Sequence, residues 1–87
     1  MYKVIIKPSV VKAGKKLPEG DREKLFEAIS NIVKKPRPYN CKKLRRFERL
    51  YRIRVGIYRI IYEIQDDELI ILVLKVSHRK DVYRTSK

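Results

Sequence analysis

The spacing of apolar residues predicts that the chain begins with a strand followed by a short helix. Residues 2–7 are rich in β-branched side chains and are closed by Pro8, which is typical of a strand. Ser9 offers a side-chain oxygen that would cap a helix beginning at Val10. Pro18 bars continuation of that helix, because proline disfavours helical geometry in the residue before it. Strand and short helix form the first predicted unit.

Apolar positions next recur at the spacing of one helix face, and they are Leu25, Ile29, Ile32 and Val33. Asp21 is a good N-cap for this second helix. Pro36 and Pro38 end it. The two helices are therefore predicted to form an αα-hairpin, whose apolar stripe has to be buried against a sheet.

The second half of the chain reads as a three-stranded antiparallel meander, with strands over residues 51–55, 57–65 and 68–76. The run LIILVLKV is apolar at both parities, which predicts a central strand that is covered on both faces. The preceding residues 39–50 are the least regular part of the chain. We expect them to form a loop or extended lead-in that is anchored to the core by Leu44, Phe47 and Leu50.

Length and charge bound the possible functions. A chain of 87 residues buries one small core, so residues 1–87 are expected to be one domain. The formal net charge of +13 exceeds the magnitude of about 2 to 8 that solubility asks of a small domain. Such a potential concentrates polyanions, and nucleic acid is therefore the expected partner.

Several other kinds of site are not supported by the sequence. Cys41 is the only cysteine and His78 the only histidine, which leaves no intrachain disulfide and no closed metal site. There is no glycine-rich phosphate loop and no HExxH pattern, so we expect no metal and no cofactor. No apolar run approaches the ~18 residues of a spanning helix, and the N-terminus does not read as a signal peptide. We therefore expect a cytoplasmic protein without a membrane partner.

Basic residues are concentrated between residues 42 and 59, where eight of them stand against a single acid; they are Lys42, Lys43, Arg45, Arg46, Arg49, Arg52, Arg54 and Arg59. On a strand, Arg52 and Arg54 project from one face about 7 Å apart, close to the spacing of phosphates on an extended single strand. In a hairpin closed at the next glycine, Arg59 lies opposite Arg54 or Val55. An anion would relieve the repulsion between these charges, although charged edge strands also serve to block aggregation.

The C-terminal stretch HRKDVY holds a second group of polar side chains. His78 is the residue whose ordinary pKa best allows proton exchange near neutral pH, whereas Tyr83 would need its pKa shifted by nearby cations. From these residues alone, the better interpretation is a solvated histidine and a tyrosine packed on the sheet.

These segments in combination resemble the RelE family of toxins, within the RelE/ParE superfamily, over nearly the whole chain. The resemblance is carried by the opening YKVIIKPSVVK, the helical pair, YRIRVGIYRIIYEI, the acidic turn in QDDELIILVLKV and the closing HRKDVY, in this order and spacing. It implies an α+β fold with an N-terminal strand and an αα-hairpin packed on a twisted, mostly antiparallel sheet that ends in a three-stranded C-terminal meander.

The resemblance also implies a toxin that cleaves messenger RNA in the ribosomal A site and so inhibits translation. By position, the resemblance implies that Arg59, Arg79 and Tyr83 are catalytic and that Arg52 and Arg54 bind RNA. His78 is a further catalytic candidate, whose role a small slip of the tail would exchange with that of Arg79. The concentration of charge adds Lys42, Lys43, Arg45 and Arg46 as RNA-binding residues. Arginine stays protonated, so Arg59 and Arg79 are suited to stabilise charge on phosphorus rather than to act as bases. Tyr83 or His78 would then move the proton.

Two other functions stay open at this point. A ParE-like inhibitor of DNA gyrase would block supercoiling without cutting RNA, and a non-catalytic member of the fold would bind RNA without cleaving it. The implied partners are a cognate acidic antitoxin, which makes a toxin–antitoxin hetero-oligomer, the ribosome with its rRNA, and mRNA.

Overall fold

In a computed structural model that describes residues 2–78, two successive helices pack on one face of a five-stranded sheet. The strands are β1 (Lys3–Ile6), β2 (Cys41–Lys43), β3 (Leu50–Val55), β4 (Tyr58–Gln65) and β5 (Ile70–His78), and the helices are α1 (Pro8–Lys15) and α2 (Glu19–Lys34). The predicted α+β class, the N-terminal strand, the helix pair and the C-terminal meander are confirmed. No helix of residues 2–78 combines the length and the apolar character needed to cross a membrane.

The sheet has the strand order β1-β5-β4-β3-β2, and every neighbouring pair is antiparallel except β1 with β5, which is parallel. The prediction that LIILVLKV is the central, doubly covered strand is therefore wrong. That run lies in β5, the second strand, while β4 occupies the centre. Within residues 2–78 the helices cover only one face, and Leu72 and Leu74 are half-buried on the other.

The first helix starts two residues earlier than the sequence predicted. It begins at Pro8, with Lys7 in the N-cap position and no side chain capping it, so the predicted capping by Ser9 is wrong. Proline is favoured at the first helical position because its missing N–H is not needed there and its φ is already helical. The chain can thus turn directly from β1 into α1.

Asp21 does not cap the second helix, which begins at Glu19 after Pro18. It lies in the first turn of α2, where a negative charge suits the helix dipole. Its Oδ2 accepts a hydrogen bond of 2.8 Å from the hydroxyl of Tyr58 on β4, and this bond raises the pKa of Tyr58. Asp21 therefore fastens α2 to the sheet. The helix ends at Lys34, as the following prolines predicted.

The core lies between the two helices and the sheet. Its fully buried side chains come from α2, β4 and β5, and they are Ile32, Ile60, Tyr62, Ile64, Ile71 and Val73. Leu25 and Ile29 are buried beside them, which confirms most of the predicted helical stripe, while Val33 is only half-buried. Burial raises the pKa of Tyr62, whose hydroxyl donates a 2.8 Å hydrogen bond to the carbonyl of Pro36.

The irregular stretch before the meander contains a strand that the sequence did not predict. Residues of β2 pair antiparallel with β3 and form the edge of the sheet. Leu44 and Leu50 are half-buried, but Phe47 has 53% of its surface exposed, so its predicted role as a core anchor is wrong. Three residues carry too little pattern to be recognised as a strand, and β2 depends on pairing with β3 for its structure.

A polar cluster connects the segment between α2 and β2 to the turn between β4 and β5. The guanidinium of Arg37 donates to Asp66 at 2.7 Å and 3.3 Å and lies 5.2 Å from the ring centroid of Tyr51. The hydroxyl of Tyr2 donates to the same carboxylate at 2.7 Å. These hydrogen bonds, that of Arg37 first, hold the pKa of Asp66 below its ordinary value.

We expect Asp66→Asn to lower the melting temperature slightly at pH 7, because both partners are half-exposed and screened by solvent. Since the folded-state pKa of Asp66 is depressed, its contribution is complete above the ordinary carboxyl pKa of about 3.9 and is lost as pH falls through the lower folded value. The difference from wild type should therefore shrink as pH falls below about 4. Asp67→Asn is the matched control, since Asp67 forms no such contact within residues 2–78. An Asp66→Asn deficit that does not shrink as pH falls would contradict this role of Asp66.

Candidate phosphate-binding face

The face of the sheet that points away from the helices, here called the open face, collects cations from four strands. Strand pairing sets Lys42, Arg52, Ile61 and Lys75 in one transverse row, and Arg54, Arg59 and Ser77 in the next. Directly paired residues share a face, and the partners on the opposite face, such as Ile53 and Ile60, are buried under the helices. We call Lys42, Arg52, Arg54, Arg59 and Lys75 the basic face.

Arg54 and Arg59 form the closest pair of like charges on this face. They are direct partners across β3 and β4, next to the two-residue turn at Gly56 and Ile57. Gly56 has a φ of 60°, at the position that a type II′ turn reserves for glycine. Direct partners have Cβ atoms about 4.5–5.5 Å apart. This confirms one of the two predicted registers and sets two guanidinium groups within reach of one anion.

No carboxylate within residues 2–78 forms an ion pair with the basic face. The ion pair in that part of the chain joins Arg37 to Asp66 at the far end of the sheet. The nearest acid along β4 on the same face is Glu63, four residues from Arg59, which corresponds to about 13 Å. Glu63 is closer to Arg52 and Lys75, since it is two residues from Ile61, which is paired with both. The row of Arg54 and Arg59 has no carboxylate nearby, and an anion such as a phosphate group would relieve the repulsion within it.

A β-bulge determines which residues of β5 reach the open face. The pairing shifts between Ile61, which is opposite Lys75, and Tyr62, which is opposite Val73, so Leu74 is the extra residue. Simple alternation from Val73 would aim Lys75 towards the helices. The bulge reverses the parity and turns Lys75 and Ser77 to the basic face, as bulges near functional sites often do. Sequence reasoning missed both residues.

His78 lies on the helix side of the sheet, opposite the face that carries Arg59. It is the direct partner of Tyr58, and the two rings meet edge to face with centroids 5.6 Å apart. The structure therefore does not bring His78 together with the basic face. Its predicted proton-transfer role stays a prediction, and its position favours a packing role at the end of β5.

The hydroxyl groups of the buried tyrosines near the site form hydrogen bonds within the fold. Tyr58 donates to Asp21 and Tyr62 to the carbonyl of Pro36, and each has a raised pKa. A raised pKa makes a tyrosine a poorer proton donor near neutral pH. Neither residue is suited to proton transfer at the basic face. The predicted Arg79 and Tyr83 lie outside the described residues.

The remaining predicted RNA-binding residues fall in two places. Lys42 belongs to the basic face, whereas Lys43 is paired with Tyr51 and projects towards the helix side at the edge. Arg45 and Arg46 are exposed in the loop between β2 and β3, at the end of the sheet farther from Arg54. Across residues 2–78, no three His, Cys, Asp or Glu side chains are grouped so as to hold a metal ion.

Two helices on one side of a small sheet and a concentration of arginines on the other define an α+β domain with a basic surface. The model of one protein family, the ParE toxins of type II toxin–antitoxin systems (parDE), matches residues 2–83. The chain belongs to this family. It is thus a toxin of the RelE/ParE group from a type II toxin–antitoxin system.

Relatives in sequence and structure carry RelE names. The chain is 31% identical to toxin RelE1 of Methanocaldococcus jannaschii, over 95% of this chain and 96% of the relative. It is similar to RelE in the archaeal RelE–RelB complex of Pyrococcus horikoshii, with a TM-score of 0.82 and 32% identity over 90% of this chain and 94% of that one. The isolated E. coli RelE toxin gives a TM-score of 0.79 and 26% identity, over 99% and 95% of the two chains. The fold is therefore RelE-like.

Proposed function

We propose that this toxin is a ribosome-dependent endoribonuclease that cleaves messenger RNA in the ribosomal A site and so inhibits translation. The observation that carries the proposal is the facing pair Arg54 and Arg59 on an open sheet surface without a neighbouring carboxylate. Two arginines in this arrangement bind a phosphate and stabilise additional charge on it. The RelE names of the similar proteins support the same reading.

The proposed reaction is attack by a ribose 2′-oxygen on the adjacent phosphorus. The new bond joins the 2′-oxygen to phosphorus, the bond from phosphorus to the 5′-oxygen of the next nucleotide breaks, and the products are a 2′,3′-cyclic phosphate and a 5′-hydroxyl. The 2′-hydroxyl gives up a proton and the leaving 5′-oxygen takes one. Negative charge builds on the phosphate oxygens, where arginines stabilise it.

The residues of the basic face divide this work by position. Arg59, which lies between Arg54 and Ser77 at the start of β4, is proposed to stabilise the phosphate in the transition state, together with Arg79. Arg52 and Arg54 are proposed to hold the RNA backbone, since they share a face two residues apart on β3. Of the proton-transfer candidates, His78 packs against Tyr58 on the helix side, which leaves the proposed role to Tyr83.

Dependence on the ribosome follows from the weakness of this site as a free nuclease. The chain has one histidine, so it lacks the pair of histidines with which a ribonuclease moves both protons. Correct placement of the reacting atoms can by itself supply about 7–11 kcal/mol of the barrier. We propose that the ribosome provides this placement by fixing the message in the A site.

The test is a translating extract to which the purified chain is added. We expect the message to be cut at discrete positions that map to the A site by primer extension, and translation to stop. Naked message at the same concentration should be cut far more slowly. Intact message and undiminished translation in the presence of folded chain would overturn the proposed function.

A gyrase inhibitor is the second candidate, because the matching family model is that of ParE toxins. Inhibition of gyrase requires no groups for phosphoryl transfer. This function would therefore not explain why two arginines face each other. A supercoiling assay with gyrase separates the two functions. Blocked supercoiling with intact message would favour the ParE activity over RNA cleavage.

We propose that a cognate acidic antitoxin neutralises the chain in a hetero-oligomer in the cytoplasm, where ribosomes are found. The charge of +13 demands a partner of opposite sign, and the similar archaeal RelE is in complex with RelB. Exposed Val11 and Phe26 on the helices offer apolar contacts as well. Affinity for the antitoxin should fall as salt concentration rises.

The double variant Arg52→Ala/Arg54→Ala should weaken binding of single-stranded RNA about tenfold or more, because charge-assisted hydrogen bonds to phosphate are lost. Each lost phosphate contact should also reduce the slope of log affinity against log salt by about 0.7. The measurement is a fluorescence titration at several salt concentrations. Lys12→Ala/Lys15→Ala on exposed α1 removes the same charge from the helix side; an equal loss in that control would show that net charge alone sets affinity.

A further inference from the structure

Ser77 is the second-last residue of β5, and its buried hydroxyl makes no hydrogen bond within the described fold. The residue is 7% exposed, and its Oγ has no hydrogen-bond partner among residues 2–78. Buried hydroxyl groups are nearly always hydrogen-bonded, since an unpaired one loses its interaction with water and gains nothing in return. An exception of this kind next to a functional surface calls for a physical reason.

The position of Ser77 supplies one. Ser77 is the direct partner of Arg59, which is itself the direct partner of Arg54, so the three residues form one row on the open face. Neighbours in such a row have Cβ atoms about 4.5–5.5 Å apart. The bulge at Leu74 is what turns Ser77 to this face. The orphan hydroxyl thus stands beside the two arginines that face each other.

A packing role alone does not account for a serine here. Alanine would fill nearly the same volume in this buried position without an unpaired hydroxyl. A hydroxyl, by contrast, is a rotatable donor without charge. It can bond a phosphate oxygen next to two guanidinium groups and add direction without adding to their mutual repulsion.

We propose that the Ser77 hydroxyl is a third ligand of the bound phosphate and donates to a non-bridging oxygen while Arg54 and Arg59 hold the same group. This inference rests on the proposed RNA-binding role of the basic face and deepens it. Because Oγ is covered in the free chain, the contact requires the atoms that cover it to move when the phosphate binds. Three contacts from one row then fix the orientation of the tetrahedral phosphate as well as its position.

The test compares Ser77→Ala with wild type in binding a 2′-O-methyl oligoribonucleotide, which presents phosphates but cannot react. We expect about a tenfold loss of affinity, since a hydrogen bond to a charged group is lost. The slope of log affinity against log salt should stay unchanged, because serine carries no charge. Ser30→Ala, at an exposed position of α2, is the matched control and should bind as wild type does.

Stability separates the phosphate contact from a structural role. Ser77→Ala removes an unsatisfied hydroxyl, so its melting temperature should equal or exceed that of wild type. In an Arg59→Ala background, Ser77→Ala should cost less affinity than it does alone, because both residues bind one phosphate. Unchanged affinity in Ser77→Ala, or a loss that matches a lower melting temperature, would overturn the inference.

The two proposals fail in different ways. If wild type binds the oligonucleotide but leaves ribosome-bound message intact, the proposed nuclease function fails, and Ser77 is still decided by its binding data. If wild type cleaves message and Ser77→Ala binds and cleaves equally well, only the inference about Ser77 fails. A wild-type chain with no salt-dependent affinity for the oligonucleotide overturns the phosphate site itself.

Discussion

Arg59→Ala should cut message in a translating extract at least about 100-fold more slowly than wild type, since removal of one donor to a developing oxyanion costs about 10²–10³ in rate. Arg59 lies at the start of β4, the central strand of the sheet, and is directly opposite Arg54. Its loss removes charge stabilisation that strengthens as the phosphate approaches the transition state. Arg59→Lys should recover only part of the rate, because lysine keeps the charge but lacks the planar fork of donors.

The fold should not suffer in the same variant. Arg59 stands opposite a like charge, and no carboxylate of residues 2–78 pairs with it, so its truncation relieves repulsion. The melting temperature should therefore stay the same or rise. Arg22→Ala, on the exposed side of α2, is the matched control for net charge and should cleave at the wild-type rate. A loss of cleavage in Arg22→Ala as large as that in Arg59→Ala would show that total charge, and not the facing pair, drives the reaction.

The facing pair was predictable because its geometry is local. A strand of β-branched and aromatic residues interrupted by one glycine predicts a tight hairpin, and a tight hairpin fixes which residues oppose each other. Arg54 and Arg59 are five residues apart in sequence, so an error of one residue was the largest uncertainty. The structure selects the pairing of Arg54 with Arg59 and of Val55 with Tyr58.

The contribution of β5 was not predictable because it depends on a bulge. Counting by twos from Val73 assigns Lys75 and Ser77 to the buried face and His78 to the open one. The extra residue at Leu74 reverses all three assignments. Within the run LIILVLKV only Lys75 marks the bulge, as a charged residue at the parity of the buried Ile71 and Val73. One such residue is too little to predict a bulge. The bulge thus adds Lys75 and Ser77 to the candidate site, and it also places His78 on the opposite face.

Long-range pairing was the other limit of the sequence. The parallel contact of β1 with β5 joins residues nearly seventy positions apart, such as Lys3 and Ile70, and no local pattern specifies it. Likewise β2 has three residues and takes its structure from β3. Periodicity predicts whether a segment is a helix or a strand. It does not predict which strand an edge strand pairs with, because that depends on the rest of the fold.

Ile60→Ala should destabilise the protein by about 2–5 kcal/mol, because it opens a cavity in the core. Ile60 is 0% exposed and lies between its partners Ile53 and Val76 under the helices. Ile61→Ala is the matched control, since the adjacent residue faces the open side and is only half-buried. Its cost should be well below that of Ile60→Ala, and urea unfolding of the two variants measures the difference.

The pair of variants also tests whether the core and the basic face are separable. Ile60 adjoins Arg59 on β4, yet their side chains lie on opposite faces of the sheet. A small domain has a stability of about 5–15 kcal/mol, so most Ile60→Ala molecules should remain folded at 25 °C. Cleavage per folded molecule should then stay within a few-fold of wild type, in contrast to Arg59→Ala. If Ile60→Ala at full folding loses cleavage as completely as Arg59→Ala does, the position of the guanidinium depends on core packing beneath it, and the rate loss in Arg59→Ala can no longer be assigned to charge alone.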